Sequence, residues 1–176
     1  MRDAHPDGTT ALAILVPEAD PVVGPSRARH DPAAAAGLSA HVTVVAPFVP
    51  EVVLRQSDET RLAELFRGVR PFGATFRRCG RFGATTLFLV AEPGRPFVRL
   101  TETVVEAYPA FPPYGGKFEE IVPHMTLADG ADAALLDAVE AALPRPLRIE
   151  TQVREVVLFV RAGDRWNPRR RFALGG

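Results

Sequence analysis

The sequence predicts an α+β protein: two pseudo-symmetric lobes of antiparallel sheet with covering helices. Three observations carry this. Short apolar, β-branched runs bounded by Pro and Gly alternate with stretches whose apolar residues fall at helical spacing. The order strand, helix, strand, helix, strand, strand fills residues 9–91 and returns, reusing the strand near 84–91, in the remainder of the chain. The 176 residues are 47% hydrophobic and 24% charged, and no low-complexity stretch separates independent domains.

Residues 1–8 read as a disordered polar tail, and 9–176 as one bilobal domain. Thr9 to Val16 is an apolar run closed by Pro17, a buried strand. Asp20-Pro21, an N-cap followed by proline at the first helical position, opens a short helix to about His30, interrupted at Gly24-Pro25. Residues 31–40 form a loop with one helical turn, and His41 to Ala46 is the next strand, stopped by Pro47. Ser57-Asp58-Glu59 opens a second helix with Leu62, Leu65, Phe66 and Val69 on one face, ended by Gly68 and Pro71.

Phe72 to Arg78 alternates as a half-buried strand, Cys79-Gly80-Arg81 makes a turn, and Ala84 to Ala91 returns, giving a hairpin. A third helix covers about 96–108 and ends at Pro109. Residues 109–117 form a loop rich in Pro, Gly and aromatics, and Phe118 to Leu127 is strand-like. A fourth helix spans about 131–143. Leu147 to Val153, Val156 to Arg161 and Arg170 to Leu174 finish as an antiparallel meander.

The 21 basic and 21 acidic residues cancel, which argues against holding nucleic acid by bulk charge but leaves room for a small pocket that takes one phosphate. The cations are 20 Arg and the single Lys117, beside 26 Ala and 17 Pro, the bias of a GC-rich genome. Charge is uneven: residues 92–140 are acidic and 144–176 basic, ending in the run Arg169-Arg170-Arg171, read as a solvated sheet edge. The one cysteine, Cys79, makes neither an internal disulfide nor a thiolate metal cluster. Without a signal peptide or an apolar run long enough to span a bilayer, the expectation is a cytoplasmic protein with no membrane contact and no obligate protein partner.

The chemistry sits in two triplets, His41-Val42-Thr43 and His124-Met125-Thr126, at matching places in the two halves. Strand side chains alternate faces, so each half presents an imidazole beside a hydroxyl while Val42 and Met125 point into the core. Threonine is 11 of 176 residues, so two of four histidines carry this spacing by chance only about 2% of the time. Of the other histidines, His5 falls in the tail and His30 at a helix C-terminus, where a cation is favoured. Tyr114 and Lys117, in the loop before His124, and Arg27, on the first helix, are candidate substrate-binding residues that would stack a base or pair a phosphate. Neither HxH, HExxH nor a cysteine cluster is present, and no metal or other cofactor is expected.

The paired HxT triplets, with AHVTVVAPF (40–48), FPPYGGKFEEIVPHMTLA (111–128), Trp166 and the ending FAL (172–174), resemble the 2H phosphoesterase superfamily, in particular its bacterial 2′,5′ RNA ligase-like branch. The resemblance covers nearly all of the chain beyond the first eight residues. It implies that the HxT strands face a central cleft between the lobes, with His41 and His124 as acid and base and Thr43 and Thr126 as donors to the phosphate oxygens. The expected activity is metal-independent opening of 2′,3′-cyclic phosphates or related nucleotide or RNA ends. Joining RNA ends through a 2′,5′ bond, or binding nucleotides without turnover, remain open alternatives. Which histidine is base and which acid stays undecided at this stage.

Overall fold

The computed structural model describes residues 5–116 and 120–175. Three antiparallel sheets form from nine strands among these residues. The first contains β1 (Thr10–Leu15), β2 (His41–Val45), β8 (Glu155–Ala162) and β9 (Arg165–Ala173), in the order β2-β1-β8-β9. β1 and β8 are central, which is why TALAIL and EVVLFVRA are apolar nearly throughout and do not alternate. The second sheet pairs β3 (Phe72–Phe76) with β7 (Ile149–Val153). The third is β4 (Cys79–Phe82), β5 (Thr86–Val90) and β6 (His124–Asp129), in that order.

Among the described residues, five α-helices cover the sheets: α1 (Asp20–His30), α2 (Pro32–Ala35), α3 (Gln56–Arg67), α4 (Arg95–Ala107) and α5 (Ala133–Ala141). The third-helix pattern puts Phe97, Leu100 and Val104 of α4 into the core, where the helix packs on β2. α3 packs on β9, and α1 lies against β6. One large apolar core runs through both lobes, and a smaller cluster of Ala11, Ala13, Leu38 and Trp166 forms on the other face of the first sheet. No helix among the described residues is long and apolar enough to cross a membrane.

The α+β class holds, but the chain does not divide into halves in sequence order. β8 and β9 complete the first lobe's sheet beside β1, and β7 pairs with β3 instead of joining a terminal meander. The hairpin also differs: β4 contains the Cys79-Gly80-Arg81 segment expected to turn, the connection lies at Gly83, and β3 pairs elsewhere. A Cβ on Gly80 would sit 2.5 Å from the Phe88 ring, so glycine here lets that ring lie across β4. α1 runs through Gly24-Pro25 unbroken.

Within residues 118–127, β6 begins only at His124; residues 118–119 lie outside the described residues. Within the segment read as a tail, residues 5–8 make defined contacts. The Gly8 N–H donates to the Arg161 carbonyl at 2.9 Å, and the His5 ring packs on Trp166 with centroids 5.4 Å apart. A polar segment is ordered here because its backbone extends the β1–β8 pairing and an aromatic ring offers it a surface.

Candidate active site

β2 and β6 are edge strands of different sheets, and the two edges face each other with no ladder between them. Alternation does the rest. Val42 and Met125 are 1% and 0% exposed, while His41, Thr43, His124 and Thr126 line one cleft of about 560 Å³. The start of β2 is held from α1, where the Asp20 carboxylate accepts the Ala40 N–H at 2.9 Å.

Both imidazoles are oriented by the same local device. His41 Nδ1 lies 2.8 Å from the Ser39 carbonyl and His124 Nδ1 lies 2.6 Å from the Val122 carbonyl, in each case two residues back. A carbonyl oxygen only accepts, so Nδ1 carries the proton in both rings. Each neutral imidazole therefore keeps Nε2 as its acceptor, on a ring that lines the cleft. The Thr43 and Thr126 hydroxyls have no hydrogen-bond partner among the described residues, which leaves them able to donate to a ligand.

The surroundings of the two rings are not alike. Burial pushes the His41 pKa down to about 3; the Arg27 guanidinium reinforces this, as does a charge on His124, against the Ser39 carbonyl and Asp20. His124 is lowered too, by burial, against the Val122 carbonyl. Its neighbours are apolar: the Phe82 and Phe88 rings lie 4.8 Å and 5.1 Å from it, centroid to centroid. His41 thus has a cation behind it, and His124 an aromatic wall.

Of the expected binding residues, Arg27 does not reach the cleft. It is 2% exposed, and its Nη2 is 2.6 Å from Asp31 Oδ2. The residue lies on the inner face of α1, where a guanidinium needs a carboxylate and carbonyls to be buried at all. Tyr114 does stand on the cleft wall. Its backbone is left-handed, φ 53°, and its N–H donates to the Ala46 carbonyl at 2.8 Å just beyond β2. A left-handed tyrosine is uncommon, and here it aims the ring at the cleft. Lys117 lies outside the described residues.

Cleft residues that the sequence reading passed over include His5, Phe82, Asp31 and Trp166, the last noted only as part of a resemblance. Phe82 had a signal: once β4 pairs with β5 it shares the face of Phe88, which sits opposite Thr126, and the two rings pack with centroids 4.2 Å apart beside His124. The others come together from distant segments and had none. Arg169 and Arg170 share Glu59 of α3 at 2.7 Å and 2.9 Å, Arg169 also reaches Glu51 at 3.3 Å and Arg171 pairs with Glu155, so three carboxylates offset the basic run. Among the described residues, no three His, Cys, Asp or Glu side chains converge as metal ligands.

Two α+β lobes that bring a pair of HxT strands together across a cleft define the 2H phosphoesterase class. The family model of the 2′-5′ RNA ligase superfamily matches residues 15–165, and the chain belongs to that superfamily. Phosphoesterase-type activity goes with that membership. Among solved structures, the Thermus thermophilus protein TT0787 superposes with a TM-score of 0.63 at 22% identity, covering 96% of this chain and 98% of that one. E. coli LigT complexed with 3′-AMP superposes with a TM-score of 0.59 at 23% identity over 97% and 100%. The same protein complexed with ATP gives 0.59 at 24% over 97% and 100%. At such identities the likeness shows the fold. No curated protein matches the chain.

Proposed function

We propose that this protein is a metal-independent phosphodiesterase that opens 2′,3′-cyclic phosphates, or related cyclic nucleotide or RNA ends, by two-histidine acid–base catalysis. The observation that carries the reading is the pair of imidazoles, both lining one cleft with Nδ1 engaged by a carbonyl and Nε2 left as the acceptor, each two residues from a threonine that lines the same cleft. One neutral ring accepts a proton from water as the oxygen attacks phosphorus. The other, protonated, gives its proton to the departing ribose oxygen as that P–O bond breaks. Thr43 and Thr126 donate to the non-bridging oxygens, whose charge grows in the five-coordinate transition state. These four side chains supply acid, base and donors, so the mechanism calls on no metal. An anionic phosphodiester between the rings favours their charged forms, opposing the burial that keeps them neutral. The rings titrate as a coupled pair, and their roles exchange when the reaction runs in reverse.

The cleft has room for more than a phosphate, and the exposed rings of Phe82 and Tyr114 on its walls suit stacking on a base. E. coli LigT is complexed with 3′-AMP and with ATP, which supports a nucleotide as the ligand class here. The neutralised arginines of β9 weigh towards a short nucleotide end over a long RNA backbone.

The test is a panel of 2′,3′-cyclic nucleotides, cyclic-ended RNA oligomers and 2′,5′-linked dinucleotides, run with EDTA on wild type, His41→Ala and His124→Ala. The reading expects cyclic-phosphate opening that survives EDTA and is lost in both variants. Turnover that persists in both overturns the mechanism, and loss with EDTA overturns metal independence. Binding with no turnover of any substrate would instead make this a nucleotide-binding module. Activity confined to the 2′,5′ linkage would make ligation and its reversal the function.

A further inference from the structure

Arg27 is the most deeply buried charged side chain among the described residues, and acid–base chemistry at Nε2 makes no use of it. It touches both halves of the site from behind. Its Nε donates to the Thr126 carbonyl at 3.0 Å, inside the second HxT strand. Its Nη2 donates to the Leu38 carbonyl at 3.3 Å, in the segment that leads into the first, and lies 3.5 Å from His41 Nδ1. Since His41 Nδ1 already donates to Ser39, that last approach sets two donors against each other; it bears on the ring's charge rather than bonding it.

Asp31 completes the unit. Its Oδ2 accepts from Arg27 Nε at 3.0 Å and Nη2 at 2.6 Å, while Oδ1 accepts the Ala33 N–H at 2.9 Å at the start of α2. The carboxylate is thereby pinned, and it pins the guanidinium. An apolar pair would fill the same space with less desolvation, so what the ions add is direction and charge.

We propose that Arg27 and Asp31 are positioning residues, a buried pair that ties the two HxT strands together and sets the electrostatic field on His41. The need is topological: β2 and β6 belong to different sheets, and no ladder fixes their separation. A planar guanidinium, with donors in a fixed fork, spans that gap as an ammonium cannot. The charged and titratable groups acting on His41 are Arg27 and Asp20 from α1 and His124 from β6; Asp31, at the α1–α2 junction, acts through Arg27, and Asp129 of β6 acts on Asp31. Arg27 and a charge on His124 oppose a proton on His41, and Asp20 favours one.

The inference rests on the acid–base reading for its kinetics but not for its titration. Arg27→Lys and Arg27→Met are compared with wild type by steady-state kinetics on a 2′,3′-cyclic nucleotide and by NMR titration of the histidine rings. Circular dichroism and urea unfolding check that each variant is folded. Both substitutions are expected to lower kcat about 100-fold with KM within about threefold, because Arg27 sets geometry and does not reach the cleft. The His41 pKa is expected to rise by a unit or more in Arg27→Met and to stay low in Arg27→Lys, with His124 little changed.

A rise in KM at constant kcat would make Arg27 a substrate ligand and overturn the proposal. So would an unshifted His41 in folded Arg27→Met, or wild-type kcat in Arg27→Lys. Should Arg27→Met not fold, Arg27→Gln carries the same titration, an uncharged side chain that keeps a donor. Absence of wild-type turnover sinks the proposed function alone, since the His41 titration still decides the role of Arg27.

Discussion

The neutral His41 makes acid stability an informative quantity. Its pKa is pushed down to about 3 in the fold, against an ordinary value of 6.5. Below pH 6.5 the unfolded chain takes up a proton that the folded chain refuses, so this residue costs stability as pH falls, down to its folded pKa. Integrating the linkage gives a loss of about 2 kcal/mol between pH 7 and pH 5, and about 3 kcal/mol by pH 4. His41→Gln removes this titration and keeps a side chain able to donate to Ser39. The measurement is urea unfolding of both proteins at pH 7, 6, 5 and 4.5. Wild-type stability minus variant stability should fall by about 2 kcal/mol from pH 7 to pH 5, whatever the sum of the other titrations does. A difference constant to within about 0.5 kcal/mol, or one that grows towards acid, would refute a His41 held neutral by burial and by Arg27.

Thr43→Val and Thr126→Val keep shape and remove one donor each, and each should lower kcat by about 10²–10³-fold in steady-state assays, with little change in stability. Phe82→Ala opens the wall beside His124; ring titration by NMR should show the His124 pKa moving up from its lowered value towards 6.5, and KM for a cyclic nucleotide should rise. With one phosphate recognised locally and no long backbone, log kcat/KM against log salt should be shallow, a slope worth about one or two charges. A steep slope on an RNA substrate would bring the arginines of β9 back as a binding surface.

The two HxT pairs were legible because each depends on local information alone: alternation along a strand turns His41 with Thr43, and His124 with Thr126, to one face. The helical faces of α3 and α4 were legible for the same reason, their apolar residues recurring within a few positions. Arg27 shows where this stops. A lone arginine on a short helix reads as a solvated or phosphate-binding cation, and nothing local says that its partners are the Asp31 carboxylate, the Leu38 carbonyl and a carbonyl 99 residues away at Thr126. The hairpin of β4 and β5 was misplaced because Gly80 signals a turn locally, whereas here the missing Cβ makes space for the Phe88 ring.

By itself, then, the sequence determined the class of fold, most of the elements and the four HxT side chains that line the cleft, since periodicity and triplet spacing are properties of neighbouring residues. Only the tertiary structure decided how the strands assort among three sheets, which edges meet, and what stands behind each imidazole. Those depend on contacts between segments far apart in the chain. They are also what makes the two histidines unequal: His41 backed by the buried charge of Arg27 and Asp31, His124 by the rings of Phe82 and Phe88.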